Sequence, residues 1–182
     1  MTTSLDHPQL LHILAEAAER LEGDWLVVGG CAAAVWFDAD RTTEDVDLVP
    51  IVDSNAARYQ LLELAETLGL PVEALNSAAD FFVRRIDGWQ DDLVLFEQGR
   101  RARIFRPGPA LFLQLKLRRL TDVDLGDCEA LLRHLQLEGE AVDVTLVLAA
   151  LVALPATADA ALEARRERLQ GMLVAHREEL PL

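Results

Sequence analysis

Two aspartates, Asp45 and Asp47, stand two residues apart in the stretch TEDVDLVP, alternating with Val46 and Leu48. Successive side chains of a strand point to opposite faces, so this spacing predicts both carboxylates on one face. Valine and leucine then enter the core from the other. Carboxylates at i and i+2 lie about 7 Å apart. They repel, and one would tend to hold its proton unless a cation stood between or beside them. Mg²⁺ (or Mn²⁺) suits carboxylate oxygens and fills its remaining positions with water and substrate phosphate. The complementary half is Gly29-Gly30, at the point where the apolar run WLVV gives way to the small residues CAAAVWF. A strand that turns into a helix there aims free N–H groups and the positive end of the helix dipole at an anion. Glycine, lacking a Cβ, lets a phosphate approach closely. The simpler alternative for the acids is the solvated face of an edge strand, and for the glycines a plain turn. A calcium loop beginning at Asp38 fails, because Thr43 fills its glycine position and Val49 its glutamate position.

The run GG, a small-residue helix, then RTTEDVDL resembles the signature of the nucleotidyltransferase superfamily. That is the fold of DNA polymerase β and of the antibiotic nucleotidyltransferases. The likeness is to bacterial branches related to the AbiEii-type toxins, where the pattern GG-x-A … R-x-T-x-D-h-D recurs. Gly29, Gly30, Ala32, Arg41, Thr43, Asp45 and Asp47 fall on its positions. The match is specific over residues 25–50, with a weaker echo over residues 109–132, where a lysine-bearing helix, an acidic link and a further helix follow one another. The resemblance implies transfer of a nucleoside monophosphate from NTP to an acceptor hydroxyl, with release of pyrophosphate. In it Asp45 and Asp47 hold Mg²⁺, and Gly29, Gly30, Arg41, Thr43 and Lys116 contact the nucleotide. A third carboxylate on a later strand binds one metal and activates the acceptor oxygen. Asp92, in DDLVLF, is the first choice for it, and Asp91 fits the alternation nearly as well. The acceptor is unspecified: a small molecule, a protein hydroxyl or an RNA end. The alternative reading is a non-catalytic binding module that kept the fold, such as one component of a toxin–antitoxin pair with a protein partner.

The remaining candidates carry two readings each. Arg41 either neutralises phosphate or pairs with Asp38 or Asp40 at the surface. Lys116, the one lysine of the chain, either reaches substrate phosphate or snorkels from an apolar helix. Asp122, Asp124 and Asp127 are read as ending one helix and capping the next. Arginines 84, 85, 100, 101, 103 and 106 form a basic concentration that is either a solvated sheet face or a groove for an anion. The four histidines and two cysteines have no zinc-ligand spacing.

Elements must position these residues. Residues 6–21 predict a helix capped by Asp6, 25–30 a strand, 31–37 a small helix, 43–52 a strand, and 54–69 a helix from Ser54 to Gly69. A β meander follows, with FFVRRI and WQDDLVLF flanking a hairpin loop at Asp87-Gly88, then RARIFRP after a turn at Gln98-Gly99. Four helices occupy the rest. The predicted class is α+β: a nucleotidyltransferase-like mixed sheet with flanking helices over residues 1–107, and a helical C-terminal part over residues 108–182. The apolar helix around residues 144–154 is either deeply buried or an oligomer contact. Of 182 residues, 51% are hydrophobic, enough for a core. The formal net charge of −14 opposes adhesion to long nucleic acid or an anionic membrane and leans toward a cationic acceptor. The VTLVLAALVAL run falls short of the ~20 residues of a membrane span. With two distant cysteines and no basic-then-apolar leader, the expected setting is the cytoplasm.

Overall fold

A computed structural model describes residues 4–179. The chain divides into two compact units, Met1–Gly108 and Pro109–Leu182. The fold is α+β, with a mixed five-stranded open sheet and eight α-helices among the described residues.

In the first unit, α1 (His7–Arg20) opens with a capping box. The Asp6 carboxylate accepts from the Gln9 N–H and the Gln9 side chain accepts from the Asp6 N–H, with Pro8 in the first turn. Strand β1 (Gly23–Val28) runs directly into α2 (Gly29–Trp36), and β2 (Val46–Pro50) follows. Helix α3 (Asn55–Thr67) is capped by the Ser54 hydroxyl and ends before Gly69, whose φ of +65° is left-handed. A two-residue strand β3 (Leu75–Asn76), a single-turn helix α4 (Asp80–Val83), β4 (Leu93–Gln98) and β5 (Ala102–Pro107) complete the unit.

The strand order is β3-β2-β1-β5-β4. The β1–β2 and β4–β5 pairs are antiparallel, and β1–β5 and β2–β3 parallel. One face of the sheet contributes Trp25, Val27, Val46, Leu48 and Ile104 to a core shared with Leu10, Ile13, Leu14 and Ala17 of α1, Cys31 and Ala34 of α2, and Leu61 and Leu64 of α3. Leu10, Leu14, Val46 and Leu48 are fully buried there, so the hydrophobic effect fixes the register of β2, since a one-residue slip would turn its acids inward.

The predicted meander is half right. The hairpin at Gln98-Gly99 forms, joining β4 to β5. The one at Asp87-Gly88 does not: FFVRRI forms the turn of α4, and Trp89–Asp91 is a short 3₁₀ helix. Gly88 does take the left-handed conformation (φ +70°) that the dipeptide favours, but it joins helical turns rather than strands.

The second unit holds α5 (Pro109–Leu117), α6 (Asp122–Glu138), α7 (Val144–Val152) and α8 (Ala160–Glu179). Helix α6 packs on α5 and α8, and α7 on α5 and α8. Helix α7 buries Val144, Val147 and Leu151 while Leu146 and Val152 face outward, so it is buried on one side only. Leu180, the last residue of the predicted final helix, lies outside the described residues. No helix among the described residues is long and apolar enough to cross a membrane.

Candidate functional site

The predicted alternation is present in β2: Val46 and Leu48 are wholly buried, while Asp45 and Asp47 are part-exposed. Asp45 precedes the strand and Asp47 lies within it. Register then decides what the acids meet. Asp47 pairs with Val28, the last residue of β1, and so stands beside the start of α2. Gly29 there has φ +68°, a conformation that costs any L side chain. A Cβ built on Gly29 would lie 3.0 Å from Asp47 Oδ2, so the carboxylate rests against the glycine backbone.

Gly30 serves the other side. A Cβ on it would meet Arg41 Nη2 at 3.0 Å and Thr43 Oγ1 at 3.1 Å. The Arg41 guanidinium therefore lies along the first turn of α2, and is not merely a surface partner for Asp38 or Asp40. Thr43 is pinned by a two-way backbone bridge to Leu5, with Leu5 N–H donating to Thr43 at 2.7 Å and Thr43 N–H to Leu5 at 3.2 Å. Its hydroxyl donates to the Asp45 carbonyl at 3.1 Å. The cap residue of α2, Val28, offers no side-chain acceptor to the first-turn amides. Burial first, then the charges of Asp47 and Asp45, push the Cys31 thiol far above its ordinary range.

Gly29, Gly30, Arg41, Thr43, Asp45 and Asp47 are thus brought together. Sequence reasoning missed one neighbour, Asn76. It pairs with Asp47 across β3, and its Nδ2 donates to Asp45 Oδ2 at 3.3 Å. A two-residue strand has no periodicity, so nothing in LNSAAD distinguishes Asn76 from a turn residue.

The other candidates lie on other elements. Asp92 immediately precedes β4, whose Leu93 pairs with Pro107 of β5. Strand β4 is three strands from β2, about 14 Å at roughly 4.8 Å per strand. The Asp92 carboxylate fills the space over Gly108, where a Cβ would lie 1.8 Å from Oδ1. Asp91 faces Gly88 instead, with Oδ2 3.2 Å from the position of a Cβ there. Among the described residues, no three His, Cys, Asp or Glu side chains group as a metal site.

Lys116 lies in the helical unit, 7% exposed at its side chain, with its ammonium 2.7 Å from Asp127 Oδ2 and 3.2 Å from Asp124 Oδ1. It neither snorkels nor presents itself to solvent. The helix cap is Thr121 rather than the three aspartates. Asp124 closes the capping box from the third position of α6, and Asp127 serves the lysine. The arginine concentration is partnered with acids and rings. Arg100 pairs with Glu19, Arg101 with Glu22, Arg103 with Asp24 and Arg84 with Asp80. Arg85 lies over Phe81 and Arg106 over Trp36.

By its chemistry the donor set, two carboxylates at alternate positions, suits a hard divalent cation, whose remaining positions water and phosphate oxygens would fill. The space a Cβ would occupy is filled by Asp47 at Gly29 and by Arg41 and Thr43 at Gly30, so the side chains of this site close directly on the first turn of α2. No protein-family model, curated protein or solved structure matches the chain.

Proposed function

We propose that this chain is a nucleotidyltransferase-fold protein that binds NTP with Mg²⁺ and transfers its nucleoside monophosphate to an acceptor hydroxyl. The observation that carries the reading is the contact between Gly29 and Asp47. A left-handed glycine at the start of a helix rests against a carboxylate, which supports reading the helix start as a phosphate-binding turn and the carboxylate as a cation ligand beside it. In this reading Asp45 and Asp47 hold the cation, which supplies charge neutralisation and Lewis acidity at phosphate. Gly29 and Gly30 supply amides for phosphate, while Arg41 and Thr43 supply a guanidinium and a hydroxyl beside them.

The test is calorimetric titration of Mg·ATP and Mg·GTP into the chain and into the double variant Asp45→Asn, Asp47→Asn. Binding by the wild type and its loss in the variant supports the site. Absent or unaltered binding overturns it.

A second reading is a non-catalytic binding module such as a toxin–antitoxin component, because Asp92 leads into β4, a strand that does not neighbour β2. Label transferred from α-phosphate-labelled NTP to any cellular fraction decides for catalysis. Nucleotide binding without transfer decides for the module.

A further inference from the structure

We propose that Asn76 is the third member of this site, a neutral positioning residue that holds Asp45 and limits the carboxylate pair to one divalent cation. This rests on the reading of Asp45 and Asp47 as cation ligands.

Strand β3 is two residues long. Leu75 pairs with Val46 in the buried row, and Asn76 pairs with Asp47 in the carboxylate row. The strand therefore sets one polar side chain on the acid face, against both acids. The Asn76 amide is engaged at both ends: its Oδ1 accepts from the Ala78 N–H at 2.9 Å and its Nδ2 donates to Asp45 Oδ2 at 3.3 Å. The partners fix this orientation, because a backbone N–H needs an acceptor and a carboxylate needs a donor.

Three consequences follow from an amide in this place. Asp45 Oδ2 is oriented by a donor that carries no charge, leaving the other carboxylate lone pairs for a cation. The Nδ2–H dipole points toward Asp45, so a second cation between residues 76 and 45 would meet a positive end. An amide also takes up no proton at neutral pH, so residue 76 does not act as a base toward an acceptor hydroxyl. A carboxylate at the same position would reverse all three, putting a third negative group beside Asp45 where the amide now stands.

The experiment is Mn²⁺ titration of the full chain followed by electron paramagnetic resonance, with and without ATP, for wild type, N76D, N76A and D47N. Wild type is expected to bind one Mn²⁺, and D47N to lose it. N76D should bind Mn²⁺ about tenfold more tightly and take up a second equivalent, since added ligand charge strengthens a carboxylate site. N76A should bind about tenfold more weakly, as expected when a group orienting a ligand is removed. Without metal, N76D should melt lower than wild type, because the new carboxylate faces Asp45 without the amide's hydrogen bond. Mn²⁺ should restore it. A merely structural asparagine would give the melting loss without the gain in Mn²⁺ affinity.

If wild type binds one Mn²⁺ and D47N abolishes it while N76D and N76A bind as wild type does, the site stands and the role of Asn76 is wrong. If neither wild type nor N76D binds Mn²⁺, both fail. Should N76D not fold, N76A decides: unchanged Mn²⁺ affinity overturns the proposal, and a tenfold loss with a near-normal melting temperature supports it.

Discussion

At the scale of single residues, the two glycines look alike in sequence and differ physically. Gly29 has φ +68°, and its missing Cβ leaves room for Asp47 Oδ2. Gly29→Ala therefore meets two penalties, a left-handed backbone worth about 1–2 kcal/mol and displacement of the Asp47 carboxylate. Chemical denaturation should show a loss of that order, and Mn²⁺ affinity should fall with it. Gly30 does not have a positive φ, and the nearest atom to its missing Cβ is the far end of a flexible side chain, Arg41 Nη2. Gly30→Ala should cost less than Gly29→Ala, because Arg41 can swing aside and only the 3.1 Å approach to Thr43 Oγ1 must relax. Nucleotide affinity should nevertheless drop, since the guanidinium and the phosphate approach are both disturbed. Equal stability losses in the two variants would contradict this difference.

At the scale of elements, legibility followed local chemistry. Asp6 and Ser54 were readable as caps because a cap needs only one side chain and a nearby amide. Strand β2 was readable because burial enforces its two-residue period. Asp87-Gly88 misled because a left-handed glycine suits a helical turn as well as a hairpin, and only tertiary context separates them. Strand β3 is too short to show a period, so the place of Asn76 beside Asp47 is hidden in the sequence. Lys116 shows the same limit, since its buried partners lie on the next helix and only packing makes them neighbours. In place, its ammonium holds Asp127 and Asp124, and Arg119 donates to Asp124 through two nitrogens, each at 3.0 Å. Lys116→Met should cost about 3 kcal/mol or more, because it leaves buried carboxylates short of a counter-charge. Urea denaturation would measure this. Mg·ATP affinity should persist in the folded fraction, whereas a lysine that bound phosphate would lose affinity at unchanged stability.

The same cluster gives a pH dependence. Burial alone would raise the Asp124 carboxyl, but Arg119, Lys116 and the Thr121 donors outweigh it and hold it well below the usual carboxylate range. A depressed folded-state value means stability that is present above the unfolded value of about 3.9. It is lost as pH falls from there through the folded value. The wild type should lose stability on acidification below about pH 4 more steeply than Asp124→Asn, which starts lower and has no such carboxyl to protonate. Denaturation midpoints across that range would check the difference in slope.

At the scale of the whole molecule, the governing quantity is charge: 31 acidic residues against 17 lysines and arginines. Surface ion pairs such as Arg100–Glu19 and Arg103–Asp24 neutralise part of the excess locally. Being exposed, they contribute little to stability, and salt weakens them further. The unpaired acidic excess acts the other way, because its self-repulsion disfavours the compact state and is also screened by salt. Two screened terms therefore compete, and the formal charge of −14 makes repulsion the larger. Raising ionic strength from about 0.01 to about 0.15 M shortens the screening length from about 30 Å to about 8 Å. That is enough to uncouple acids spread over the surface while leaving contacting pairs partly intact. The melting temperature should rise over this range in NaCl. A fall would mean that the surface arginine–carboxylate pairs, rather than the net charge, dominate the electrostatics of the fold. Substituting Arg100 and Arg103 with glutamine separates the two contributions. It removes two attractive pairs and deepens the net charge by two, so the salt-induced rise should steepen if repulsion governs.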